Sequence, residues 1–62
     1  MGEVRYQRRF AGTGPENWHE ITRAEVERAL AKNYEDLETI MGVLDEGEQV
    51  RTPFAFYRAV KA

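Results

Sequence analysis

The sequence predicts a small α+β domain in which a two-stranded antiparallel sheet packs on a helical pair, in the order β-α-α-β. Three observations lead to this fold class. Both ends of the chain alternate apolar and polar residues, the middle repeats apolar residues every three or four positions, and the charges divide at the same boundaries. Residues 1–12 and 49–62 carry net charges of +2 and +3, whereas residues 13–48 carry −7. A basic sheet backed by acidic helices is therefore expected.

The chain of 62 residues has room for a single domain, 1–62. A domain of this size buries only about 60% of its unfolded surface, so self-association would add stability. The sequence holds no cysteine and therefore offers neither disulfides nor thiolate ligands. Its apolar runs are far shorter than the ~20 residues of a membrane span, and its start lacks a signal-peptide pattern. We expect a cytoplasmic protein that does not associate with membranes.

The first strand is predicted from about residue 3 to residue 11, where apolar and polar side chains alternate. Arg8 is the exception, because it occupies a position that the alternation assigns to the apolar face. Residues 12–17 are rich in turn formers and should form a loop. Trp18 follows this loop, and an indole in so small a domain is typically the anchor that closes a loop over the core, with a binding role at the surface as the alternative.

The first helix is expected to begin at Thr22. This threonine stands three residues before Glu25, which is the spacing of a capping box, and Ile21 and Val26 occupy the two positions of a hydrophobic staple. The apolar stripe of the helical segment consists of Val26, Leu30, Tyr34, Leu37, Ile40 or Met41, and Leu44.

Asn33 and Asp36 favour a break in this segment near Asn33, since both residue types are good helix caps. Two helices between the strands allow them to pair antiparallel, whereas one long helix would make them parallel. We favour the break and the antiparallel pair. Gly47 is placed to end the helical part as a left-handed cap.

The second strand is predicted from Val50 to Val60, a segment rich in aromatic and β-branched residues. Pro53 cannot donate to a ladder, so it should lie at the start of the strand or at an unpaired position. Alternation puts Phe54, Phe56 and Val60 on one face and Arg51, Ala55, Tyr57 and Ala59 on the other. The predicted core consists of Val4, Tyr6, Phe10, Trp18, Ile21, Val26, Leu30, Leu37, Ile40, Leu44, Phe54 and Phe56.

The sequence favours a protein without catalytic activity, metal or cofactor. His19 is the only histidine, and neither serine nor cysteine is present to act as a nucleophile. Gly12 and Gly14 imitate the start of a dinucleotide-binding loop, but the third glycine is replaced by Asn17. The density of acids in the middle segment is typical of a solvated helix face rather than of acid–base catalysis.

Two charged surfaces are candidates for binding a partner. On the predicted outer face of the sheet, Tyr57 could stack on a base while arginines neutralise phosphates, which makes single-stranded nucleic acid one possible ligand. This predicted basic surface consists of Arg5, Arg9, Arg51, Tyr57 and Lys61. The helices offer the opposite charge, and Glu25, Asp36 and Glu38 could occupy a basic groove on another protein. A homodimer formed through the half-open sheet is the third alternative.

Two segments suggest a wider relationship. The Gly-Pro-Glu-Asn-Trp-His loop at residues 14–19, before Ile21 and Thr22, and the Arg-Thr-Pro-Phe-Ala-Phe-Tyr segment at residues 51–57 resemble parts of the short accessory proteins of phages and prophages. The resemblance implies that the chain inhibits or modulates a larger host or phage protein. We therefore rank a protein partner ahead of nucleic acid as the ligand.

Overall fold

The sheet has four strands, and both helices pack on one side of it. The computed structural model describes residues 3–61. Along the chain the elements are β1 (Val4–Phe10), β2 (His19–Ile21), α1 (Arg23–Ala31), α2 (Leu37–Asp45), β3 (Val50–Arg51) and β4 (Ala55–Lys61). The strand order is β2-β1-β4-β3, and every neighbouring pair is antiparallel. The α+β class is confirmed, but the two-stranded sheet is wrong, since two short strands flank the predicted pair.

The central pair, β1 and β4, is antiparallel as predicted. Its register runs without interruption from Val4 opposite Lys61 to Phe10 opposite Ala55. The two helices allow the antiparallel arrangement of β1 and β4. The chain leaves the sheet after β2, and α1 and α2 together bring it back to the same end of the sheet. The alternative of one long helix and parallel strands is excluded by the break between Ala31 and Leu37.

Local capping signals set the helix boundaries. The Thr22 hydroxyl accepts a hydrogen bond from the Glu25 amide at 3.2 Å, and the Glu25 carboxylate accepts one from the Thr22 amide at 3.2 Å. The predicted capping box is confirmed. The second helix is capped by Asp36, whose carboxylate accepts from the Thr39 amide at 3.1 Å, while Asn33 instead donates to the carbonyl of Ala29.

Gly47 has a φ of 101°, the left-handed conformation expected of a residue just beyond a helix. Its amide donates to the carbonyl of Leu44 at 3.0 Å, so one of the last helical carbonyls is satisfied. The predicted end of the helical part is therefore confirmed.

The predicted strand from Val50 to Val60 is two strands joined by a turn. Thr52 is buried in this turn, where its amide donates to the carbonyl of Ala55 at 2.9 Å and its hydroxyl accepts from the amides of Phe54 and Ala55. Pro53 lies inside the turn, where no ladder hydrogen bond is needed. The turn shifts the phase of the alternation, so Ala55 and Tyr57 face the helices and Phe56 faces away.

The core differs from the predicted one, and this phase accounts for the differences in β4. The buried cluster consists of Tyr6, Val26, Leu30, Met41, Leu44, Val50, Ala55 and Tyr57. Of the predicted core residues, Tyr6, Val26, Leu30 and Leu44 are buried, and Ile21, Leu37 and Ile40 pack partly against the cluster. Phe54, at the tip of the turn, is 73% exposed, and Phe10 at the end of β1 is 51% exposed. Val4, Trp18 and Phe56 also lie outside the buried cluster, contrary to the prediction.

The β2 strand was not predicted. It comprises only His19, Glu20 and Ile21, which lie opposite Arg8, Gln7 and Tyr6 of β1. Three residues are too few for a period of two to be recognisable. Within residues 3–61, neither helix has the length and apolar character needed to cross a bilayer.

Candidate functional site

The face of the sheet that points away from the helices is the first candidate for a binding surface. Cross-strand partners in an antiparallel sheet point to the same side, so the register defines its members. Arg5 lies opposite Val60, Gln7 opposite Glu20 and Arg58, and Phe56 opposite both Arg9 and Arg51. We call this surface the outer face: Arg5, Gln7, Arg9, Glu20, Arg51, Phe56, Arg58 and Val60, with Trp18 lying against it.

At its centre, two arginines stack on two aromatic rings. The Arg9 guanidinium lies 4.5 Å from the centroid of Phe56 and 5.4 Å from that of Trp18, while the Arg58 guanidinium lies 4.1 Å from Trp18. Each cation–π contact of this kind contributes about 0.5–1 kcal/mol at an exposed site. Trp18 is therefore an anchor, but it packs on the outer side of the sheet rather than over the core.

Hydrogen bonds fix the orientation of these arginines. Arg58 donates from Nε to the side-chain oxygen of Gln7 at 2.7 Å, and Arg9 donates to the carbonyl of Thr13 at 3.0 Å. The Nε atom of Arg9 is buried without a hydrogen-bond partner within residues 3–61. These hydrogen bonds use one N–H group of each arginine, and a guanidinium carries five.

The outer face carries a surplus of positive charge. Among the described residues, one ion pair lies on this face; it joins Arg5 to Glu20 at 3.9 Å, and both side chains are more than half exposed, so this pair contributes little to stability. Within residues 3–61, no carboxylate lies within ion-pair distance of Arg9, Arg51 or Arg58. Three guanidinium groups without an ion-pair partner in this part of the chain therefore share one face of the sheet.

The predicted basic surface is brought together only in part. Arg5, Arg9 and Arg51 lie on the outer face, as expected. Tyr57 does not, because it points to the helices and is only 4% exposed, so it cannot stack on a base. Lys61 shares the phase of Tyr57 and extends, exposed, from the end of β4.

The three predicted acidic residues occupy two different environments. Glu25 is in the first turn of α1, where it completes the capping box and faces basic residues across a small cleft. Asp36 and Glu38 lie exposed at the start of α2. Hydrogen bonds from the Thr39 hydroxyl and amide lower the pKa of Asp36, which keeps it ionised as the helix cap. These acids therefore do not present one continuous patch.

On the helix side, Tyr6, Arg23 and Asp45 form a polar cluster that joins β1, α1 and α2. The Tyr6 hydroxyl donates to Asp45 at 2.6 Å and accepts from Arg23, and the guanidinium also lies 3.4 Å from Asp45. Burial, together with the hydrogen bond to Asp45, raises the pKa of the Tyr6 phenol. The phenol is thus a protonated donor at neutral pH, which suits a structural link better than a general base.

Sequence reasoning missed several members of the outer face, among them Phe56 and Arg58, and it favoured a place over the core for Trp18. Both faces of residues 50–60 carry apolar side chains, so their alternation does not reveal which face is buried. The signal that locates Phe56 and Arg58 is Thr52-Pro53, a pair typical of a turn, which resets the phase before Ala55.

Comparison of the chain with protein-family models, with curated proteins and with solved structures found no match. The function is therefore inferred from the geometry of the outer face.

Proposed function

We propose that this protein is a small, non-catalytic binding module that modulates a larger protein, and that its outer face holds an acidic segment of that partner. The observation that carries the proposal is the group of arginines without an ion-pair partner within residues 3–61, Arg9, Arg51 and Arg58, on one face of the sheet. Guanidinium groups bind carboxylates through paired N–H donors, and their planar shape gives such contacts directional specificity.

The stacking geometry supports a carboxylate ligand. Both aromatic rings of the outer face already have guanidinium groups within cation–π distance, at 4.1 Å for Trp18 and 4.5 Å for Phe56. A base that stacked on the same ring surface would have to displace an arginine, whereas a carboxylate can bind the outward N–H groups without disturbing the stack. The rings also orient the arginines before binding, which lowers the entropic cost of association.

The placement of charge supports the same proposal. Exposed acids such as Glu35, Asp36 and Glu38 lie on the helical part of the chain, while the arginines share the sheet face. An acidic segment approaching the molecule is therefore attracted to the sheet and repelled from the helices, which orients the encounter.

Trp18 provides a direct test, since it is the only tryptophan in the chain and lies within the site. A glutamate-rich decapeptide titrated into the protein should change the Trp18 fluorescence in a saturable manner, and added salt should weaken the binding. Replacing Arg9 and Arg58 by glutamine should reduce the affinity about tenfold or more, because charged hydrogen bonds are lost.

Matched variants separate a loss of binding from a loss of folding. Arg51→Gln removes an exposed guanidinium outside the Trp18 stack and should also weaken binding, without changing the thermal melt. The control is Arg28→Gln with Lys32→Gln. Like the replacement of Arg9 and Arg58, it removes two positive charges, but these lie at the end of α1, so the variant should bind the peptide as the wild type does. Equal binding by all variants would contradict the proposed site.

A single-stranded nucleic acid is the second candidate ligand, favoured by the presence of Trp18 and Phe56 among the arginines. In that case an oligothymidylate should be retained at micromolar concentration in about 150 mM salt, with a log–log salt slope near −0.7 for each phosphate contact. Trp18→Ala should then cost roughly 1–3 kcal/mol of stacking free energy.

We expect no such retention. Binding to the oligonucleotide that is abolished by Arg5→Glu with Arg51→Glu, together with no response to the acidic peptide, would reverse the ranking of the two ligands.

A further inference from the structure

Arg8 occupies a position where the strand pattern calls for an apolar side chain. It lies between Tyr6 and Phe10 in phase and therefore points to the helix side of β1. Its cross-strand neighbours are Tyr57 and His19, and its guanidinium rests 4.7 Å from the centroid of Phe10. Arg8 is half-buried, and its guanidinium therefore loses hydration. This loss is unfavourable unless another interaction compensates the charge.

The Arg8 side chain lines a cleft between the sheet and α1, separate from the outer face. The helical side of the cleft consists of Glu25, Arg28 and Ala29 of α1 and of Lys32, the residue that caps its end, and their spacing of three, one and three positions puts them on one side of the helix. The cavity has a volume of about 220 Å³ and is lined by Arg8, Glu25, Arg28, Ala29 and Lys32. Three cations from two elements therefore surround one small concavity.

The cleft has too little negative charge to balance them. Its one carboxylate, Glu25, already accepts the Thr22 amide in the capping box. The ion pairs within residues 3–61 are Arg5–Glu20, Arg23–Glu27 and Arg23–Asp45, so none of them involves a cation of the cleft. Arg28 and Lys32 are favourable at the end of α1 because of the helix dipole, but that effect does not explain Arg8, which comes from the sheet.

We propose that this cleft binds a phosphate group. Convergent arginine and lysine side chains in a concave site concentrate anions, and they match phosphate oxygens with several N–H donors. A cavity of 220 Å³ is smaller than a typical site for a whole organic ligand and suits a single phosphate or a short phosphate ester. Free phosphate and a phosphorylated side chain offer the same chemistry, and the experiment separates them.

The test is a titration followed by backbone amide NMR, in which inorganic phosphate replaces chloride at constant ionic strength. Phosphate should shift the amides of Arg8, Arg28 and Lys32 in a saturable manner and raise the melting temperature, because it binds only the folded state. A phosphoserine peptide forms the second arm, and tighter binding by the peptide than by its unphosphorylated form and by free phosphate would identify a protein-borne phosphate as the ligand.

Arg28→Gln with Lys32→Gln should weaken phosphate binding about tenfold or more, whereas Arg51→Gln, which removes a charge from the outer face, should leave it unchanged. Arg28 and Lys32 are both exposed, so their replacement should not disturb the fold. The conservative Arg28→Lys should keep most of the affinity for phosphate. Non-saturable shifts, shifts centred on the outer face, or unchanged binding by the double variant would overturn the proposal. The acidic-peptide titration is independent of this outcome, because it reports on Trp18.

Discussion

At the scale of single residues, Tyr6 belongs both to the apolar core and to a polar cluster. Its ring is part of the buried cluster, its hydroxyl donates to Asp45, and Arg23 donates to the same hydroxyl. The Arg23 guanidinium also lies 5.6 Å from the centroid of the ring. One side chain thus connects the central strand with both helices, through apolar contact at its base and polar contact at its tip.

Replacing Tyr6 by phenylalanine keeps the ring and removes the hydroxyl. We expect the free energy of unfolding at neutral pH to fall by about 0.5–1.5 kcal/mol, since Arg23 and Asp45 remain paired with each other and partly solvated. Urea denaturation of both proteins measures this difference. An unchanged or higher stability would show that the hydroxyl contributes nothing.

The same pair of proteins tests the pKa of Tyr6. Because the folded-state pKa is raised above the ordinary value of 10.0, the stability linked to the phenol is present below that value and is lost as the pH rises through the folded-state pKa. The advantage of the wild type over Tyr6→Phe should therefore stay constant at neutral pH and shrink as the pH rises above about 10. A constant difference over this range would contradict the assignment.

At the scale of elements, both helices depend on side chains at their N-termini. Each has nine residues, which is too short for a stable isolated helix in water. Thr22 and Asp36 supply the caps, and packing of the apolar stripes on the sheet supplies the rest. The break between the helices follows from the same chemistry, because Asp36 starts a new helix by accepting the Thr39 amide.

Thr22→Ala should lower the free energy of unfolding by about 0.5–2 kcal/mol, because the Glu25 amide loses its acceptor. Glu25→Ala should have a smaller effect, since it removes only the reciprocal bond to the Thr22 amide. Thermal and urea denaturation give both values. Thr22→Ser retains the hydroxyl and should be close to the wild type, so equal losses for the serine and alanine variants would argue against the cap.

At the scale of the whole molecule, the fold separates charge into a basic sheet face and a largely acidic helical part. A helix with its side chains is about 10–12 Å across, which exceeds the Debye length of about 8 Å at physiological salt. Acids on the solvent side of the helices therefore have little influence on a ligand at the outer face. Arg8, Arg28 and Lys32 are the exception to this separation, since they lie between the two layers.

Within residues 3–61, β3 pairs with only part of the neighbouring edge of β4. β3 pairs with β4 only at Val50–Tyr57 and Arg51–Phe56, so this ladder does not extend along residues 58–61. An unpaired strand edge is a template for association with another strand. We therefore predict a homodimer at tens of micromolar, with two β4 edges in contact.

Equilibrium sedimentation measures the association directly. Hydrogen exchange at low and high protein concentration gives its location, since the amides of residues 58–61 that do not bond to β1 should exchange more slowly in the dimer. A monomer at tens of micromolar would exclude the predicted association. A dimer without additional protection at these residues would place the contact elsewhere.

Local sequence determined the elements whose signals are complete within a few residues. Thr22 with Glu25 specifies where α1 begins, Asp36 and Asn33 interrupt the helical segment, and Gly47 ends it, because each acts through backbone hydrogen bonds or φ within one turn of the chain. The antiparallel pair of long strands also followed from the sequence, since two helices between them return the chain.

Tertiary structure decided the phase of the last strand and therefore the composition of the binding surface. In residues 50–60 both faces carry apolar side chains, so burial of Tyr57 and exposure of Phe56 depend on the Thr52 turn and on pairing with β1. The partners of Trp18 and the cleft around Arg8 likewise arise from residues far apart in sequence. Contacts of this kind are set by the packing of the whole sheet on the helices, which no local pattern contains.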